Sequence, residues 1–283
     1  MKLISGKKFT EERALFALHS ATVRDCVFMG MGESPLKESR DIEVFNTIFG
    51  WKYPLWYSKN ITVSSSTLLE GARSGIWYTE GISVRDTTID APKTFRRSSG
   101  ITLERVTMPN AKETLWACRD ITLREVAASG DYFAMNCEGV YADGLALSGN
   151  YAFDGARDIE IRNAKIISKD AFWNCENVTV YDSLIVGEYL GWNSRNVRLV
   201  GCTVESNQGM CYMDGVELVG CKLINTDLAF EYSTVNATVT SSIVSVKNPI
   251  GRIEAESIDE IIIDENARGE AEILERRGKT DEE

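Results

Sequence analysis

Residues 172–180 read "FWNCENVTV" and residues 191–199 read "GWNSRNVRL". An aromatic, Asn, a small residue, a charged residue, Asn and a β-branched residue follow one another in both, nineteen positions apart. With Val178 as the anchor, the series extends through Ile42, Ile61, Ile82, Ile101, Ile121, Val140, Ile159, Val178, Val197, Val216 and Ala237, in steps of 19 to 21 residues. Ala21 continues it backwards, and "DEIIID" (259–264) is the candidate for continuing it forwards. A fixed period of this length is the mark of a repeat architecture.

The residue before every anchor is Gly, Asn or Asp, from Asp41 and Asn60 to Gly215 and Asn236. These residues accept positive φ or close an Asx turn, so a corner recurs there. Two residues after the anchor comes a second apolar residue, as in Val44, Val63 and Val180. Apolar residues at i and i+2 with polar ones between predict a short strand facing inwards. Five after the anchor stands a mostly small residue such as Ser66 or Cys202, and two further on an apolar one such as Leu68 or Val204. Stretches such as "LWYS" and "LWAC" predict a third strand before the corner. Nineteen residues holding three strands and three corners leave no room for a helix.

One such unit per coil, each covering its neighbour's open face, is a solenoid. Leucine-rich repeats share the period, but their Leu/Asn pattern is absent, and left-handed hexapeptide helices need multiples of six. The prediction is an all-β fold: a single-stranded right-handed parallel β-helix of about 12 coils of 19–21 residues. It is expected over 1–265 with its N-terminal cap, followed by an acidic cap or tail at 266–283.

The motifs "GESPLKES" (32–39), "YPLWYSKNITV" (53–63), "GDYFAMN" (130–136), "KDAFWN" (169–174), "GEYLGWNS" (187–194) and "LAFEYSTV" (228–235) carry a resemblance. On them, nearly the whole chain resembles an uncharacterised bacterial family within the pectin-lyase-like right-handed β-helix superfamily. The resemblance implies the fold. It implies no single activity, because that superfamily holds lyases, hydrolases, esterases and non-enzymes, and a shared fold does not transfer chemistry.

Charge narrows the partners. The net charge is −11, of which the stretch 252–283 supplies −7, so the body is nearly balanced. A pI near 4.8 argues against nucleic acid and anionic membrane as partners, since both need a basic face. Charges interrupt the first twenty residues throughout, as they would not in a signal peptide, and no stretch approaches the ~18 apolar residues of a membrane span. Seven cysteines without a CxxC pair read as buried thiols in a reducing compartment, so a cytoplasmic location is expected.

His19 is the single histidine, which excludes a His-based triad and a multi-His metal site. No metal or cofactor is expected, and acid–base chemistry falls to carboxylates, Lys, Arg or Tyr. Five before the anchor stand Trp56, Trp77, Arg96, Trp116, Asp154, Trp173, Trp192 and, in the last repeat, Tyr232. The column six before is more uniformly apolar, which places the Trp column outside the coil; aromatics stacked inside it are the competing arrangement. Just upstream lie Asp131, Tyr132, Tyr151, Lys169, Asp170, Glu188 and Tyr189.

Outward aromatics among carboxylates suit a sugar: ring faces for its C–H groups and acceptors for its hydroxyls. Trp173, Trp192, Tyr132, Tyr151, Tyr189, Trp116, Arg96 and Lys169 are the expected binding residues, and the basic early coils would suit an anionic oligosaccharide. Asp154 and Asp170 fall in adjacent coils with Asp131 and Glu188 flanking them. Coil spacings of about 5 and 10 Å bracket the carboxylate separations of retaining and inverting glycosidases. Binding of an oligosaccharide or polysaccharide is the first reading, and a hydrolase or lyase using these four carboxylates is the second. A structural or protein-interaction rod, self-associating laterally or end to end, is the third. A solvated face laced with salt bridges would explain the same charges without a ligand.

Overall fold

The computed structural model describes residues 2–276, which form a right-handed parallel β-helix of about 14 turns. By its contacts the chain divides into two compact units, Met1–Ser148 and Gly149–Glu283.

In the first unit the anchors are in direct register: Ala21 pairs with Ile42, then Ile61, Ile82, Ile101, Ile121 and Val140 in parallel. A further rung, Lys2–Ser5, precedes His19–Arg24. In the second unit the row runs from Ile159 through Val178, Val197 and Val216 to Val235. A second row of strands, such as Thr67–Leu68 and Leu184–Glu188, follows the first in each coil. Anchors and their i+2 partners are buried and the residues between them are not, so packing enforces the register. Phe28 is sealed in the interior of the first unit, stacked on Phe9 at 4.9 Å and on Phe49 at 5.1 Å.

The corners follow the chemistry of their residues. Asn177 and Asn196 hold φ of 57° and 53°, and their amides form a ladder: Asn177 donates to Asp158 at 2.9 Å and Asn196 to Asn177 at 3.0 Å. The next of the three corners, four after the anchor, is left-handed as well, with Asp25, Asn46, Ser65 and Asp86 in it. The small column before the corner is chosen for hydrogen bonding as well as volume. Ser194 donates to the Phe172 carbonyl at 2.6 Å, and the Cys175 thiol does the same to Phe153 at 3.0 Å. All seven cysteines are buried and free.

Four expectations need correction. The coil count is about 14 rather than 12, because rungs at Lys2–Ser5, Ile250–Ala255 and Ala271–Glu275 have anchors too irregular to see. Val216 pairs with Val235, and Ala237 with Leu218, so Asn236 lies within the strand Thr234–Val239; this corner is shorter than the others. "DEIIID" belongs to the second row, where Ile258–Ile262 pairs with Ile243–Lys247. The third side is mostly turn; among the described residues its paired strands are Ile76–Trp77 and Phe95–Arg96, with an isolated bridge from Arg96 to Trp116. Left-handed residues on either side of the Trp, such as Tyr53 (φ 60°) and Tyr57 (φ 54°), break any extended run there. Coil-to-coil hydrogen bonds survive, with Leu55 donating to the Gly75 carbonyl at 3.0 Å. The acidic tail expected at 266–283 contributes the strand Ala271–Glu275, and its positions 277–283 lie outside the described residues.

Candidate functional site

The Trp column lies outside the coil and is half-buried, while Leu55, Phe95, Phe153 and Phe172 fill the interior beside it. In the first unit Trp56 and Trp77 stack at 5.0 Å with planes 11° apart. The Arg96 guanidinium takes the next place, 4.7 Å from the rings of both Trp77 and Trp116. Glu113 holds Arg96 and Lys93, each at 3.2 Å, and Glu33 holds Lys52 at 3.0 Å. Much of the basic face expected to meet an anionic sugar is thus paired within the protein. Trp116 stacks on Tyr132 at 6.3 Å, and Asp131 is exposed beside it.

In the second unit Trp173 and Trp192 stack at 5.7 Å with planes 8° apart. The Trp173 indole N–H donates to the Tyr189 carbonyl at 2.6 Å and that of Trp192 to Gln208 at 2.7 Å. Each indole therefore spans a coil boundary, and the facing sides of the two rings cover each other. Tyr151, Tyr189 and Tyr212 are turned across this ladder, at 87° to Trp173 and at 67° and 70° to Trp192. Tyr212 is 41% exposed, flanked by Trp192 at 70° and by Tyr232 at 5.7 Å. Burial, then the nearby Glu231, pushes its phenol pKa up.

Beside Tyr212 opens a cleft of about 300 Å³, lined by Asn174, Glu176, Asn193, Arg195 and Asp214 over a floor of Cys175 and Ser194. Arg195 pairs with Glu176 at 3.4 Å. Asn174 donates to the Asp154 carboxylate at 2.8 Å, tying the cleft to the carboxylate face. On that face Lys169 pairs loosely with Glu188 at 3.6 Å and lies 5.4 Å from the centre of the Tyr189 ring. Asp170 is only 3% exposed. This burial raises its carboxyl pKa, with Glu188 and Asp154 adding to the rise and Lys169 opposing it.

The structure thus brings together Tyr151, Asp154, Lys169, Asp170, Trp173, Glu188, Tyr189 and Trp192 in the second unit. Trp116, Arg96, Asp131 and Tyr132 belong to the first. The place expected for Tyr232 in the Trp column goes to Glu231, because the slipped anchor shifts that repeat by one; Tyr232 instead sits 5.7 Å from Tyr212. Sequence reading missed the cleft. Asn174 and Asn193 recur in the opening phrase, but nothing in a repeat unit says that one corner widens. Among the described residues, no group of three or more His, Cys, Asp or Glu side chains is placed to hold a metal ion. Nor is any helix among them long and apolar enough to cross a membrane.

These coils and corners define a protein of the parallel β-helix class. Residues 2–274 match the family model described as protein of unknown function (DUF3737), and the chain belongs to that family. No curated protein matches it. Among solved structures, the mannuronan C-5 epimerase AlgE4 A-module of Azotobacter vinelandii is 9% identical, with a TM-score of 0.32 over 95% of this chain and 91% of that one. A tailspike protein of E. coli bacteriophage HK620, in complex with a pentasaccharide, is 8% identical, with a TM-score of 0.41 over 90% and 71%. DFA-IIIase from Arthrobacter chlorophenolicus A6 is 9% identical, with a TM-score of 0.36 over 91% and 68%. Likeness at this level carries no argument about chemistry.

Proposed function

We propose that the second unit binds a carbohydrate in the cleft beside the Trp173–Trp192 ladder, with Tyr212 as the ring against which the sugar lies. The observation that carries this reading is the exposed Tyr212, turned 70° from Trp192, over a cleft lined by amides and charged groups. A volume of about 300 Å³ is at the lower end of ligand sites and suits one or two sugar rings. Asn174 and Asn193 offer amide donors and acceptors, Glu176 and Asp214 accept from hydroxyls, and Arg195 donates. Asp154 and Glu188 extend the polar surface along neighbouring coils.

The test is isothermal titration of the full chain with oligosaccharides chosen from a glycan array. Tyr212→Ala should weaken the best ligand at least about tenfold, or about 1.4 kcal/mol, while the far-UV spectrum stays unchanged. Equal affinity in wild type and variant would remove the cleft from consideration, and an array without ligands would remove the reading itself.

A further inference from the structure

Asp170 breaks the pattern of its own repeat. Eight before the anchor, Tyr53, Lys93 and Glu113 in the first unit and Tyr151, Tyr189 and Gln208 in the second all hold positive φ; Asp170 does not. Gly187 accommodates the departure. A Cβ there would meet the Ser168 carbonyl oxygen at 1.9 Å, so only glycine lets the backbone leading into Asp170 lie so close. The result is an aspartate 3% exposed between two half-buried column neighbours, Tyr151 and Tyr189.

No hydrogen-bond donor among the described residues reaches this carboxylate. Its charged surroundings are Lys169, Glu188 and Asp154. Lys169, the one cation among them, engages Glu188 at 3.6 Å and lies over Tyr189. Tyr151 and Tyr189 occupy the same column in the coils before and after, each braced edge-on against a ladder Trp. A desolvated carboxylate without a donor is unfavourable by itself, and a cation brought to it recovers the lost solvation. Ring faces beside carboxylates attract ammonium groups in particular.

We propose that Asp170, with Asp154 and Glu188 beside it, receives the primary ammonium of an amino sugar whose chain continues into the Tyr212 cleft. The inference rests on the carbohydrate reading above and names its substrate class: a de-acetylated amino sugar rather than a uronate. It reverses the expectation of an anionic ligand, because Lys52, Lys93 and Arg96 of the first unit are held by carboxylates of the protein while no donor among the described residues reaches Asp170.

The full chain is titrated at about pH 6, where a hexosamine is largely protonated and most carboxylates are ionised. Three probes are used: a glucosamine trimer, the N-acetylglucosamine trimer and trigalacturonate. The glucosamine trimer should bind at least about tenfold more tightly than its acetylated counterpart, with trigalacturonate weakest. Asp170→Asn, nearly isosteric and free of the desolvated charge, should abolish that preference by weakening the glucosamine trimer at least about tenfold. Lys169→Gln removes the competing ammonium and should tighten the glucosamine trimer. Equal affinity for the two glucosamine-based trimers, with Tyr212→Ala still weakening both, overturns the ammonium site and leaves carbohydrate binding standing. A preference that survives Asp170→Asn also overturns it. Failure of all three trimers to bind, together with an empty array, would overturn both.

Discussion

Replacing Trp173 separates two roles that its exposure alone does not distinguish, a platform for a ligand and a staple between coils. Trp173→Phe keeps a ring against Trp192 but deletes the N–H that reaches the Tyr189 carbonyl at 2.6 Å. The net loss for one such hydrogen bond is about 1 kcal/mol. Trp173→Ala also deletes the stack at 5.7 Å, worth about 0.5–1.5 kcal/mol beyond area. Half-burial of the ring contributes roughly 1 kcal/mol more, so the alanine variant should lose about 3 kcal/mol. A double-mutant cycle with Trp192→Ala isolates the stack, because the Trp192 indole donates to a different carbonyl, that of Gln208. The coupling should be about 0.5–1.5 kcal/mol. Urea unfolding followed by far-UV circular dichroism supplies all four corners of the cycle. A coupling near zero, with Trp173→Phe as stable as wild type, would refute the staple and return both rings to the solvent-facing role.

Other consequences follow from single positions. Phe28→Ala empties the middle of the Phe9–Phe28–Phe49 stack and should lower stability by about 3–5 kcal/mol in the same assay; a loss below about 1 would mean the stack is not a packed core. Gly187→Ala drives a Cβ against the Ser168 carbonyl and should cost about 2–3 kcal/mol, visible as a lower thermal midpoint; an unchanged midpoint would contradict the close approach. Asp170 has a native pKa raised above 3.8, chiefly by burial. Its contribution to stability is therefore greatest below that value and is lost as pH rises through the native pKa. Asp170→Asn should remove this decline and be more stable than wild type at neutral pH; urea midpoints showing the opposite order would place an unseen donor on the carboxylate. All seven cysteines are buried, so Ellman's reagent should find no reactive thiol in the native protein and seven in guanidinium. Rapid native labelling would contradict that burial.

The coil was legible because its constraints repeat. An inward β-branched residue and a Gly, Asn or Asp before it recur often enough for a period to stand out from one sequence. Legibility failed where the constraint is not a residue type. Lys2 and Ala271 occupy anchor places in terminal coils, where covering one face demands less of the side chain, so the period faded there. The shortened corner before Val235 misled the alignment because Ala237, two places on, is equally buried. On the third side, aromatic-rich segments looked like strands although Tyr53 and Tyr57 adopt left-handed backbone. Tyrosine gives no sign of that conformation, whereas Asn177 does.

The candidate site was legible in part. Asp154, Asp170, Trp173, Glu188 and Trp192 could be gathered on one face by counting. Ring orientation could not be read that way. Stacking of Trp173 on Trp192 depends on χ angles, and so does the turn of Tyr212 away from Trp192. Burial of Asp170 depends on a glycine one coil later, and no period links those two positions.

The central claim is that a saccharide occupies the second unit at Tyr212. A crystal of the full chain grown with the tightest array ligand tests it most directly. A sugar ring is expected against Tyr212, hydrogen-bonded to Asn174 or Asn193, with its chain directed towards Asp170. A ligand bound on the paired cations of the first unit, or a bound saccharide that leaves the Tyr212 cleft empty, would contradict it.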